Sequence, residues 1–175
     1  MKKILLIMLM AMILVGGCSG DNAKPNTTDA EQEEPKQISY TVYRPAADGS
    51  QKLLPEKITM ADNGKSLPEN ALLTLITQKP SSDKIESLVP EGTKVLGFKV
   101  DKDGTAYADF SKEIVKRGEG SYNEFMLTGS IVNTLTEFSE IKRVQILVDG
   151  KKVTSIGGYM DLEEPLERNI TLLQK

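Results

Sequence analysis

The chain has 175 residues, with 22 Lys+Arg against 25 Asp+Glu, one Cys, no His and no Trp, a length that suits one ordinary domain. The formal net charge of −3 argues against nucleic acid as a partner, because binding phosphates needs a dense Lys/Arg surface. Without histidine there is no Ser-His-Asp triad, Cys-His pair or His-ligated zinc, and one cysteine excludes an intrachain disulfide or Cys-cluster metal site, so carboxylate or Lys chemistry remains, or none.

Residues 1–18 read MKKILLIMLMAMILVGGC. Lys2 and Lys3 form a short positive region, and Ile4 to Val15 an apolar run of signal-peptide length, too short to span a bilayer comfortably. Gly16 and Gly17 then precede Cys18, and Val-Gly-Gly-Cys resembles the bacterial lipobox, whose cysteine is acylated and becomes the new N-terminus. Cys18 is therefore the expected lipidation site, and a cysteine so used is no nucleophile. The alternative is an ordinary secretory signal with a stray cysteine, which gives the same compartment without an anchor. Cleavage removes Lys2 and Lys3 and shifts the formal side-chain charge from −3 to −5. Stable anchoring takes more than one acyl chain, since each buried methylene contributes about 0.8 kcal/mol.

Residues 19–37 contain no aliphatic side chain larger than Ala and no aromatic. They read as a flexible acidic stalk with an r.m.s. span of about 25 Å. The folded domain is expected over 38–175. Ile38 to Tyr43 alternate as a strand ending at Arg44-Pro45, and Lys57 to Ala61 suggest a shorter second strand. Asp62-Asn63-Gly64 turns the chain. Ser66-Leu67-Pro68-Glu69 has capping-box spacing and opens a helix with Leu72, Leu73, Leu75 and Ile76, which stops before Pro80.

A hairpin follows: Leu96, Phe98 and Val100 share one face, Asp101 to Gly104 turn, and Ala106, Ala108 and Phe110 line the return. The spacing of Leu127, Ile131, Leu135 and Phe138 predicts a long helix over about 121–138, with Asn123, Ser130, Asn133 and Glu137 on its polar side. Val144, Ile146 and Val148 begin a second hairpin through Asp149-Gly150, a type I′ turn. The expected fold is α+β, in the order ββαββαββ, with two helices packed on a largely antiparallel sheet. Each half is a helix followed by a hairpin, without a residue-level repeat.

Asp101-Lys102-Asp103-Gly104 looks like half a calcium loop, but its twelfth residue is Lys112 and strands flank it, so a hairpin turn is the better reading and no metal or other cofactor is expected. Asp109 and Ser111, at a strand end, are candidate pocket residues; Glu113 would complete a carboxylate pair with Asp109. The plainer reading has Asp109 and Ser111 hydrogen-bonding free backbone groups where the strand leaves the sheet. Gly157 and Gly158 permit close backbone approach and could cradle an anion through their N–H groups. No helix and nearby Lys follow them as a phosphate loop requires, so a turn folding the tail over the core is preferred, with Tyr159 and Leu162 packing. Gly157, Gly158, Tyr159 and Asp161 stay on the list of candidate binding residues. The Gly-rich loop from Lys116 to Ser121 is a further candidate contact.

From about Asn70 to Arg168 the sequence resembles the GerMN domain family, the sporulation and spore-germination domain of bacterial envelope proteins. The residues carrying this are Asn70-Ala71-Leu72-Leu73, Leu88 to Leu96, Ala108-Asp109-Phe110-Ser111, Val132 to Phe138, Val144 to Gly150, and Gly157 to Leu162 followed by Pro165-Leu166. The resemblance implies a membrane-anchored envelope protein, tied in some members to sporulation, germination and peptidoglycan, in a family without an established catalytic centre. One copy of the pattern is present here, where some members hold two.

The expected function is therefore a lipoprotein on the extracytoplasmic face of the cell membrane, whose domain binds an envelope protein or peptidoglycan without catalysis. The competing expectation is a carboxylate-dependent peptidoglycan hydrolase using Asp109 and Glu113. A small-ligand carrier would need a closed apolar pocket, hard to fit beneath so small a sheet.

Overall fold

A computed structural model describes residues 36–116 and 118–174. The expected signal segment with Cys18, nearly all of the expected stalk and Arg117 lie outside these residues. The elements in chain order are strands β1 (Gln37–Pro45) and β2 (Leu53–Ala61), helix α1 (Leu67–Thr77), strands β3 (Val95–Val100) and β4 (Thr105–Phe110), and a 3-10 turn (Lys112–Ile114). Helix α2 (Ser121–Leu135), strands β5 (Arg143–Val148), β6 (Lys151–Lys152) and β7 (Leu166–Glu167) and a second 3-10 turn (Ile170–Leu172) complete them. The fold is α+β, with two helices and mostly antiparallel strands in the expected order. It differs from the expectation in dividing the strands between two sheets and in adding β7.

β1 and β2 form a separate two-stranded ribbon, with Gln37 opposite Ala61 and Pro45 opposite Leu53. β2 starts four residues before the predicted Lys57, and Pro55 is the reason it was missed. Proline cannot donate to a ladder, but each strand of a two-stranded ribbon has an open edge where it is tolerated. In the larger sheet β3 pairs antiparallel with β4, and β6 and β7 both line the far edge of β5, β6 against Leu147 and Val148, β7 against Arg143 and Val144. β4 and β5 run parallel, because α2 is the crossover between them and a parallel pair needs one.

The helices lie between sheet and ribbon. Leu72, Leu75, Leu127, Ile131 and Leu135 pack on Ala106, Ala108, Phe110, Val144 and Ile146 of the sheet. On the other side Ala71 meets Tyr40 and Val42, and Met126 meets Tyr43 and Leu53. α2 is consequently buried on two sides, and Ser130 and Asn133, which the spacing places on its polar side, are buried with it. Both satisfy a donor within their own helix: Ser130 Oγ donates to Met126 O (2.8 Å) and Asn133 Nδ2 to Gly129 O (2.9 Å). Thr134 Oγ1 accepts from the Tyr43 N–H of the ribbon (2.9 Å). Gly129 allows the C-terminal segment to come close, since a Cβ there would lie 2.5 Å from Leu172 Cδ1.

α1 begins as predicted, with Ser66 Oγ accepting from Glu69 N–H and Pro68 in the first turn. Its C-terminal end is held by the buried Arg44 of β1, whose guanidinium donates to the carbonyls of Thr74, Leu75 and Gln78 and, through Nε, to Glu56 Oε2 at 2.6 Å. Burial pushes the Glu56 carboxyl up, yet the bonds from Ser81 and Arg44 prevail and hold it below the ordinary range. In the hairpin turn Thr105 N–H donates to both Asp101 and Asp103, and Asp103 pairs with Arg143. The two carboxylates thus serve the turn itself. No helix among the described residues is long and apolar enough to cross a membrane.

Candidate functional site

Glu124 lies in the first turn of α2 and is 4% exposed. A buried carboxylate needs compensation, and among the described residues no cation pairs with it. Instead its oxygens accept from the segment after β6: Oε1 from Ser155 Oγ (2.5 Å), Ile156 N–H (3.0 Å) and Gly157 N–H (2.9 Å), and Oε2 from Tyr159 N–H (2.6 Å) and Met160 N–H (3.2 Å). The position near a helix N-terminus also favours negative charge. The Gly157-Gly158 segment is therefore an anion cradle, and its anion is a side chain of the same protein. The two glycines serve different needs. A Cβ on Gly157 would sit 2.8 Å from Glu124 Oε2, whereas Gly158 has φ of 97°, a left-handed conformation with open space around it.

Burial pushes the Glu124 carboxyl up, but the donors from Ser155, Gly157, Tyr159 and Ile156 outweigh it and hold the group below the ordinary Glu range. A folded pKa below the unfolded one contributes stability above the unfolded value of about 4.3, lost as pH falls through the folded value. The stability gap between the native chain and Glu124→Gln, read from urea midpoints, should be constant near neutral pH and narrow as pH falls below about 4. A gap that stays constant into acid would show that the charge of Glu124 does not matter.

With its backbone clamped, Tyr159 turns outward and is 55% exposed. This corrects the expectation that it packs inward; Leu162 does pack, and is fully buried. Asp161 is exposed, and its Oδ1 accepts from Glu163 N–H at 2.9 Å. Tyr159 and Met160, with Tyr122 and Phe125 of α2 and Gln51, line an open depression of about 240 Å³. Phe125 and Met160 also line a neighbouring cavity of about 120 Å³ between α2 and the C-terminal segment. An aromatic ring on a rigid loop beside an apolar depression is the kind of surface that anchors a partner.

The other candidates serve the backbone. Asp109 Oδ1 accepts from Gly150 N–H (2.9 Å), tying the end of β4 to the β5–β6 turn, where Asp149 and Gly150 both have positive φ, as type I′ requires. Ser111 Oγ accepts from Lys94 N–H (3.0 Å). The Ser111 hydroxyl and Glu113's own N–H hold the Glu113 carboxyl below its ordinary range. Among the described residues no hydrogen bond joins Asp109 or Ser111 to the Gly157–Asp161 segment, so the sequence candidates fall into two separate groups. In the loop before α2, Lys116 N–H donates to Ile156 O (2.9 Å), which seats the loop against the cradle. Among the described residues no group of three or more acidic or Cys side chains is placed to hold a metal ion. Sequence reasoning missed Glu124, Phe125 and Met160. Only the glycine pair signalled an anion, and nothing signalled where it came from.

A family model described as "Germane: Sporulation and spore germination" matches residues 41–154. The match takes in most of β1 and all of β2, which lie before the Asn70 start of the resemblance, and ends just before Ser155. No curated protein sequence matches at a significant level. Among solved structures, the first GerMN domain of the sporulation protein GerM from Bacillus subtilis is 26% identical with a TM-score of 0.62, over 75% of this chain and 98% of that one. The tandem GerMN domains of the same protein give 24% identity and a TM-score of 0.64, over 75% of this chain and 46% of that one, so this chain spans about half the tandem structure. A putative lipoprotein from Clostridium perfringens is 26% identical with a TM-score of 0.53, over 75% of this chain and 87% of that one.

Proposed function

The chain belongs to the sporulation and spore germination (GerMN) domain family, and from that premise we propose that it is an envelope lipoprotein whose folded domain binds another envelope protein or the cell-wall polymer without catalysis. The observation that carries this reading is the clamped loop, which holds Tyr159 outward beside the Tyr122–Phe125 depression while the buried Glu124 carboxylate that clamps it is engaged by Ser155 Oγ and four backbone N–H groups. A rigid exposed aromatic loses little conformational freedom on binding, which suits it to recognition.

The same accounting weakens the hydrolase alternative. A general acid needs a carboxyl that keeps its proton near neutral pH. Glu113 is shifted in the opposite direction, and one oxygen of Asp109 already accepts from Gly150. Anchoring through Cys18 on the extracytoplasmic face of the cell membrane belongs to this proposal; the C. perfringens relative is itself described as a putative lipoprotein.

Pull-down from envelope extracts and sedimentation with purified peptidoglycan should retain the full chain in at least one assay, and Tyr159→Ala should cut retention about tenfold, the scale of an aromatic anchor. Labelled palmitate should enter the native chain and not Cys18→Ala. Muropeptide release by the purified protein, abolished in Asp109→Asn, would overturn the non-catalytic reading.

A further inference from the structure

The cavity between α2 and the C-terminal segment carries more information than its size. Its apolar walls come from Phe125, Val132, Met160, Leu166 and Leu172. Thr128 and Asn133 also line it, at 1% and 0% exposure, and Thr128 Oγ1 and Asn133 Oδ1 have no hydrogen-bond partner among the described residues. Buried polar atoms are ordinarily paired, and leaving two unpaired beside one cavity is costly. The Asn133 amide is oriented by the bond from Nδ2 to Gly129 O, so the free atom is the acceptor. Glu167 adds a carboxylate at the rim and makes no ion pair among the described residues. Arg143, opposite Glu167 in the β5–β7 pairing, is paired with Asp103, and Arg168 is paired with Glu137 and lies over the Tyr43 ring. Neither lines the cavity.

We infer that this cavity receives one unbranched aliphatic side chain ending in a primary ammonium, as lysine presents, from a bound partner. The stem lies against the apolar walls, the ammonium donates to Thr128 Oγ1 and Asn133 Oδ1, and Glu167 supplies the opposite charge. An ammonium offers three donors and no acceptor, which suits Asn133 Oδ1, the Thr128 hydroxyl and the Glu167 carboxylate as acceptors; Asn169, the other polar side chain of the lining, has its Oδ1 engaged by Thr171. The volume of about 120 Å³ fits a single side chain and no sugar or nucleotide; an apolar cavity of about 150 Å³ takes one benzene. The inference rests on the binding-module reading in supposing a partner, but its test needs none, so a failed pull-down and a failed titration are separate results.

The full chain, carrying 13C-methyl methionine in detergent micelles, is titrated with n-butylammonium chloride. The Met160 methyl signal should shift saturably while that of Met60, on the ribbon, stays in place. Butyrate, with a similar stem and the opposite charge, should leave Met160 unmoved. Thr128→Val keeps the shape and removes the hydroxyl, and should weaken n-butylammonium about tenfold, the scale of one lost hydrogen bond to a charged group. Glu167→Gln, on an exposed side chain that does not endanger the fold, should weaken it several-fold. No saturable Met160 shift, equal binding of butyrate, or undiminished affinity in both variants would overturn the inference.

Discussion

Replacing Glu124 by Ala should destabilise the folded domain by about 3–5 kcal/mol, the scale of two buried donors left unpaired. The variant leaves Ser155 Oγ and the N–H groups of Ile156, Gly157, Tyr159 and Met160 without their acceptor. Each buried donor left unpaired costs about 1–3 kcal/mol, but water reaches the exposed side of the loop, so the total falls short of the sum. Glu124→Gln should be intermediate. Its amide oxygen still serves one set of donors, while its NH₂ faces donors on the other. Urea midpoints at neutral pH measure both. Amide exchange at Tyr159 should accelerate in Glu124→Ala beyond the change at core amides of β5, because the loop is the element released. A loss below about 1 kcal/mol, in the range of a surface substitution, would mean that the loop holds its shape without the carboxylate.

The second large effect is expected at Arg44. Arg44→Met should cost about 3–5 kcal/mol, because Glu56 is left buried without its cation and the carbonyls of Thr74, Leu75 and Gln78 lose their donor. The double variant Arg44→Met, Glu56→Leu removes both charges and should recover a large part of that loss, since a buried pair is often replaceable by apolar groups of similar volume. The recovery should be incomplete, as the last carbonyls of α1 and the Ser81 N–H still lack their partners. A double variant no more stable than Arg44→Met would show that the helix cap, and not the unpaired charge, dominates.

Both networks join elements far apart in sequence, which is why neither was legible there. Arg44 read as the end of a strand before Pro45, and Glu56 stood outside the predicted second strand. They meet because the ribbon folds Arg44 beneath the last turn of α1. Glu124 read as an ordinary acidic residue in the first turn of a helix. For the glycine pair a turn over the core is the preferred sequence reading and an anion cradle the lesser one, and an anion from the protein's own helix has no local signature. Tyr159 was misplaced for a related reason: an aromatic after two glycines reads as core until the clamp turns it outward.

Local patterns were more informative where the physics is local. Ser66 to Glu69 carried the start of α1 because a cap depends on residues three apart. Asp149-Gly150 carried its hairpin because positive φ at both central positions is a property of those residues. The bland readings of Asp109 and Ser111, as partners of free backbone groups at a strand end, match the bonds they make. Of the polar side assigned to α2, Glu137 is exposed and Asn123 partly so, but Ser130 and Asn133 are buried. Ser130 and Asn133 satisfy donors within the helix, so their polarity says nothing about solvent when a second layer covers them.

The amino-acid sequence by itself determined the α+β class, the order of helices and hairpins, and which positions are apolar, because periodicity and capping act within a few residues. It also determined the exclusion of histidine chemistry and of an intrachain disulfide, which is a matter of composition. The tertiary structure alone decided that the strands form two sheets with the helices between them, that β4 and β5 run parallel, and that Glu124 sets the loop displaying Tyr159. Those outcomes depend on which distant surfaces meet. Burial then makes a pairing between distant polar groups obligatory, and sequence neighbours do not specify the partner.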